Sequence, residues 1–342
     1  MVDVHDTNIR VGLFLTNQHQ PGVDLVEAQR GQIAMAERAV AYGWDSLWSG
    51  HHYLPDGMAM MQPVPFLARL TALSEDVTIG IGILLLALHN PVHVAETFAT
   101  LDVLASGRLV FGVGLGYREA EYAAFGLKRS QGVARLEANL HVIRELWTGN
   151  EVSVNLPWCK LDDPRLTCLP IQRPGPPVWM AANSDAAVLR AARLSDAWLI
   201  NPHATTSTIR RQLDLFDHER SAQGRPRGER PLMREVFCGP SRDAALAAAG
   251  PYLSNKYQVY SDWGQDKVMP VVESFDAPFD ELEHERFLVG SPDDILAGLL
   301  PWRDEVGVDH FIFRTHWAGM SADAAISSID LLAREVVPAL CS

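Results

Sequence analysis

Basic charge is scarce in this chain: 29 Lys and Arg face 42 Asp and Glu, for a formal net charge of −13. Such a surface does not neutralise a run of phosphates, which argues against nucleic acid as a partner. The one local basic cluster, Arg225 to Arg230 in SAQGRPRGERP, reads as a solvated loop. Long hydrophobic runs are absent as well. The longest, Ile79 to Leu88, is too short to span a bilayer. The N-terminal MVDVHDTNIR lacks the basic and apolar regions of a signal peptide, so a soluble, cytoplasmic protein away from membranes is expected. Cysteine is sparse: positions 159, 168, 238 and 341 show no Cys-x-x-Cys spacing. They read as buried free thiols, and no metal site is expected. Nor does a Ser/Gly/Pro-rich tract divide the chain as a linker would.

What is present is the composition of an ordered globule, with 47% hydrophobic and 21% charged residues. Short β-rich runs alternate with helix-length amphipathic segments, the pattern of a parallel sheet wrapped by helices. Eight strands are expected: Ile9–Leu15, Asp45–Trp48, Val77–Leu84, Leu109–Val113, Val178–Ala181, Ala197–Ile200, Met233–Cys238 and His310–Arg314. Between them, Val94, Phe98, Leu101 and Leu104 form one helical stripe, and Val133, Leu136, Leu140, Ile143 and Trp147 another. Ser291-Pro292-Asp293-Asp294 reads as a helix start, while Gly43 and Gly107 stand where left-handed C-caps belong. Eight βα units favour an α/β fold of the (β/α)8 TIM-barrel type over a doubly wound sheet, with functional residues at the C-terminal strand ends. Two connections are long enough to be insertions, about 151–177 and 252–288, and the second reads as a mobile lid.

The segment SGRLVFGVGLGYREAEYAAFG, residues 106–126, sets a specific question. Its glycines 112, 114 and 116 follow a strand, yet the dinucleotide fingerprint fails, because Tyr117 and Glu119 occupy the positions three beyond Gly114 and Gly116. Two jobs remain open for them. They let a flat ligand approach the strand end, or they allow tight packing of strand and helix.

GWDSLWSGHHY (43–53), residues 90–126, LEANLHVIRELWTG (136–149), residues 176–199, RFLVGSPDD (286–294) and residues 316–340 together resemble the luciferase-like flavin monooxygenases, the family of bacterial luciferase and coenzyme F420-dependent relatives. The resemblance covers nearly the whole chain. It implies one TIM-barrel domain over residues 1–342, working as a homodimer. It also implies reduced FMN from a separate flavin reductase, and oxygenation of an apolar organic small molecule by O2 through a flavin C4a-peroxide. Alternatives are hydride transfer with F420 or a non-catalytic flavin binder. By resemblance, His51 lies beside the flavin's reactive edge, although Gly50 stands where the family motif has glutamate; His52, a second catalytic candidate, is expected on strand alternation to point to the other side. Gly82 and Ile83 match a third-strand bulge, where relatives often carry a cis peptide. Asn183 and Ser184 match the turn that holds the FMN phosphate; Ser184 is independently a natural N-cap with free amides behind it, and Asp185 is expected to point to solvent. Leu115 replaces a phosphate-binding arginine, which leaves Gly114 and Tyr117 to offer neutral contacts. Glu121 falls where the family carries an acid, and it also reads as an acid opening a helix. His316, in HWAGM after the last strand, is a further catalytic candidate. Met58, Met60, Met61, Trp158 and Trp263 suggest apolar loops around the mouth.

Overall fold

The computed structural model describes residues 9–270, 275 and 277–342. Nine parallel strands carry it: β1 Arg10–Leu15, β2 Ser46–Ser49, β3 Thr78–Ile81, β4 Leu109–Gly114, β5 Val178–Ala181, β6 Ala197–Leu199, β7 Pro231–Cys238, β8 Phe287–Gly290 and β9 His310–Arg314. Their order is β6-β5-β4-β3-β2-β1-β9-β7-β8. A parallel bridge from Ile200 to Leu232 joins the end of β6 to β7 and closes eight of them into a ring, a TIM barrel. β8 is the extra strand, laid along the last residues of β7 from Glu235 to Cys238.

The period of two in each strand divides the side chains between two cores. Phe14, Trp48, Val110, Trp179, Ala197, Leu199, Met233 and Ile312 fill the barrel interior. Trp48 stacks on Trp179 at 5.0 Å, and His310 Nε2 lies 2.7 Å from Ser46 Oγ. The N-terminal end of the ring is therefore plugged. Outward residues such as Leu13, Leu47, Ile79 and Phe111 pack under the helices.

Local signals fall where the sequence places them. Ser291 caps the helix Pro292–Pro301 in a reciprocal box with Asp294, and Gly43 and Gly107 take φ of +75° and +77°. Three expectations are corrected. The third strand does not run from Val77 to Leu84; it breaks at a cis Gly82–Ile83 bond and resumes at Leu84–Leu85, both parts pairing with β4. Strand β8 is not among the expected strands and begins at the end of the expected insertion 252–288. In that same stretch, Tyr252 to Asp262 complete a helix that begins at Arg242. Its buried stripe is Ala245, Ala249, Leu253, Lys256, Tyr257 and Tyr260, and the lysine and tyrosines hide it from a hydrophobicity reading. Residues 271–274 and 276 of the expected lid lie outside the described residues. The connection 151–177 carries a small hairpin, Val154–Leu156 with Cys159–Leu161. All four cysteines are free, with Cys159 and Cys238 buried but Cys168 and Cys341 exposed. Among the described residues no helix is long and apolar enough to cross a membrane.

Candidate active site

A cavity of about 450 Å³ opens at the C-terminal ends of the strands. It is lined on one side by residues after β2, β3, β4 and β5, among them Gly50, His51, His52, Gly82, Ile83, Gly114, Tyr117, Asn183 and Ser184. The opening glycine question resolves position by position. A Cβ on Gly112 would stand 1.8 Å from Ile81 O, and one on Gly114 would stand 1.9 Å from Ile83 Cδ1. Both glycines therefore admit the bulged third-strand segment against β4. Gly116 is required for its backbone, at φ +78°. Gly114 also borders the cavity, but it is Ile83 that fills the space its side chain would take.

Steric contact also explains Gly50. A Cβ there would lie 2.2 Å from Gly82 O, so the bulge occupies the room a glutamate needs. The acid comes from another element. Glu121, from the short helix Glu119–Ala124, is buried; its Oε1 lies 3.1 Å from His52 Nδ1 and accepts from Tyr53 N at 2.8 Å, with Arg118 Nη1 at 3.6 Å. The helix-opening role expected of an acid here is secondary to that pairing. His51 is 6% exposed, and its Nδ1 lies 3.0 Å from Gln62 Oε1. Burial lowers its pKa to about 4. The ring is thus neutral, with the Nδ1 proton on Gln62. Nε2 is left with a lone pair and, among the described residues, no partner. His52 does not turn to the other side: both histidines line the one cavity, and His52 sits against Trp263 at 5.1 Å and Tyr117 at 5.5 Å.

The helix Asp185–Leu194 starts at the cavity wall, and Ser184 Oγ accepts from Ala187 N at 3.4 Å. The first amides of that helix lie outside its own hydrogen bonding, as an anion site requires. Asp185 is not simply turned to solvent. Its carboxylate takes a two-pronged bond from Arg211, both at 2.8 Å, and a third from Gln212 at 2.9 Å, which lowers its pKa and draws it toward the next helix. Asn183 Oδ1 is held by Asn201 Nδ2. The hydroxyl of Tyr117 is buried without a partner among the described residues, and burial raises its pKa well above the usual phenol value, so it remains a donor. Arg129 and Lys267 are exposed at the rim, with Arg129 Nη1 at 3.7 Å from Glu119 Oε1.

The remaining wall is polar in a way that the sequence reading missed. It holds Gln18, His203, Tyr260 and Arg314. Behind them Glu235, wholly buried on β7, pairs with Lys256, accepts from Trp317 Nε1 at 2.5 Å and lies 3.6 Å from Arg314 Nη1. Arg314 does have a signal in the sequence, because His310, Ile312 and Arg314 alternate inward and Arg314 is the one at the strand's C-terminal end. The site does not include His316. That residue lies in a separate cavity of about 340 Å³ with His19 and Gln32, donating from Nε2 to Met320 O at 2.9 Å while Nδ1 faces Gln32 Nε2 at 3.3 Å. Of the loop residues named for apolarity, Met60 lines the main cavity; Trp158 instead lies under Arg135 and donates to Asn139.

These residues fit a flavin-type cofactor. Among the described residues, the buried polar atoms His51 Nε2 and Tyr117 Oη have no partner and belong to cavity-lining residues, and a capped helix start with two rim cations is suited to a phosphate tail. A family model described as luciferase-like monooxygenase matches residues 9–310. The chain is 24% identical over 340 residues to a 4-hydroxyprotoasukamycin monooxygenase of Streptomyces nodosus subsp. asukaensis, covering 96% of this chain and 92% of that one. It is also 24% identical over 304 residues to an F420-dependent glucose-6-phosphate dehydrogenase of Amycolatopsis mediterranei, covering 83% and 88%. The oxygenating constituent of 3,6-diketocamphane monooxygenase from Pseudomonas putida, solved in complex with FMN, shares the fold with a TM-score of 0.79 and 17% identity over 97% and 98% of the two chains.

Proposed function

The chain belongs to the luciferase-like monooxygenase family, and we propose that it is a flavin-dependent monooxygenase acting with reduced FMN and O2 on an organic substrate with an apolar body. The observation that carries this reading is His51: a neutral, anchored imidazole whose Nε2 has no partner among the described residues, in a cavity whose lining also includes the apolar Phe14, Ile83, Leu85 and Met233. Bound reduced FMN would supply the electrons that activate O2. Ser184, the following amides and Tyr117, with Arg129 and Lys267 at the rim, would hold its phosphate. His51 would accept a proton or hydrogen bond at Nε2, and Gln62 keeps it in the tautomer that can do so. His52 is oriented by Glu121, and the ring of Trp263 against it keeps water from that edge. The reading takes residues 1–342 as one domain and pairs it with a separate flavin reductase, as a homodimer.

Anaerobic titration with reduced FMN and reduced F420 side by side tests it. Saturable FMN binding, followed by oxygen uptake coupled to substrate, is expected. Preference for F420 with hydride transfer and no oxygen uptake would replace the monooxygenase by the oxidoreductase reading. FMN binding without any turnover would reduce the protein to a binder.

A further inference from the structure

The wall formed by residues after β1, β6, β7 and β9 differs in chemistry from the glycine-rich wall opposite. We propose that it seats an anionic group of the substrate, a carboxylate or phenolate, on Arg314 with His203 and Tyr260 beside it. The assignment rests on the flavin reading, in which the cofactor takes the half of the cavity between β2 and β5.

Arg314 is 4% exposed, ends β9 and lines the cavity. Its Nε has no partner among the described residues, and its Nη1 is 3.6 Å from Glu235 Oε1, beyond hydrogen-bond length. Glu235 is already engaged. One oxygen takes Lys256 and the other takes Trp317 Nε1 at 2.5 Å. Lys256, whose pKa burial and then Arg314 lower to about 7, takes the close position on that carboxylate, and Arg314 is left with the longer ion pair. An incoming anion would give Arg314, the cation that borders the cavity, the hydrogen-bonded carboxylate that Glu235 does not supply. His203 adds to the case: it is 7% exposed, lines the cavity, and neither ring nitrogen has a partner among the described residues. Burial first, and then the positive field of Lys256, Arg314, His52 and Arg286, hold its pKa well below the usual value, so it is a neutral ring free to donate one hydrogen bond. Tyr260, fixed by Gln18 Nε2 at 2.9 Å, bonds Arg314 and sets its orientation. The phosphate turn follows β5, three strands around the ring from β9, which carries Arg314.

The probe is benzoate against its neutral isostere benzamide, titrated by calorimetry into the flavin-free protein. Benzoate is expected to bind about tenfold or more tightly than benzamide, as hydrogen bonds to a charged group allow. Arg314→Met should erase the preference, Arg314→Lys should retain part of it, and Ser184→Asp should leave it intact. Equal affinities in the parent, a preference that survives Arg314→Met, or one lost in Ser184→Asp overturns the proposal. Should Arg314→Met not fold, the parent, Arg314→Lys and Ser184→Asp comparisons still decide. Separate titration with reduced FMN keeps the two readings apart. A parent that prefers benzoate but does not bind FMN overturns the function while leaving the anion seat. An Arg314→Met protein that loses FMN but keeps the benzoate preference assigns Arg314 to the cofactor and overturns the seat.

Discussion

Lowering the pH from about 7.5 to about 5 should cost this fold several kcal/mol through its buried imidazoles, and one of them can be isolated. His51 and His316 are each 6% exposed, and burial lowers both pKa values to about 4. In the unfolded chain each titrates near 6.5. Between those values the unfolded chain binds protons that the folded chain refuses. Stability is therefore complete above about pH 6.5 and falls as the pH approaches about 4. For a shift of this size the loss at about pH 5 works out to about 2 kcal/mol per imidazole. Two such losses are a large part of an ordinary domain's roughly 5–15 kcal/mol. The sharp comparison is His316→Gln, which keeps a donor for Met320 O but cannot be protonated. Urea titrations followed by tryptophan fluorescence at the two pH values should show the parent's acid loss shrinking by about 2 kcal/mol in the variant. Equal acid losses in parent and variant would mean that His316 is not held neutral by burial, and the same logic would then fail for His51.

His51→Ala should bind reduced FMN nearly as well as the parent while product formation falls about 10²- to 10⁴-fold and hydrogen peroxide is released; full coupling of O2 to product in the variant would remove His51 from the chemistry. Ser184→Asp keeps the helix cap but places a carboxylate at the helix start, so the melting temperature should hold while FMN affinity falls; unchanged affinity by calorimetry would move the phosphate elsewhere. Gly50→Glu restores the residue of the family motif yet drives its Cβ to 2.2 Å from Gly82 O. It should destabilise the fold by about 3 kcal/mol or more, and a variant melting like the parent would refute the steric account of that position. Glu121→Leu leaves His52 Nδ1 and Tyr53 N without their acceptor, and a cost of about 2 kcal/mol or more is expected in denaturant titration; a neutral outcome would show that the acid does not anchor the pair.

Sequence alone determined the barrel, because its signals are local. Inward and outward alternation, a serine before a proline and two acids, and glycines at left-handed ends each act within a few residues, and the eight-fold alternation of strand and helix admits few topologies. It also placed His51, His52 and the Ser184 cap at the mouth, since position along a strand fixes which end a residue occupies. Tertiary structure decided what those residues meet. No local pattern shows that a Cβ at position 50 would strike the backbone of residue 82, or that the acid for His52 arrives from residue 121. The helical stripe through Lys256, Tyr257 and Tyr260 reads as polar until Glu235, twenty-one residues earlier, is seen beneath it. His316 shows the converse: the sequence puts it after the last strand, but the closing of the ring points it away from the cavity and toward Gln32 and Met320. Steric exclusion and charge pairing act between residues far apart in the chain, and only the closed barrel brings their atoms within reach.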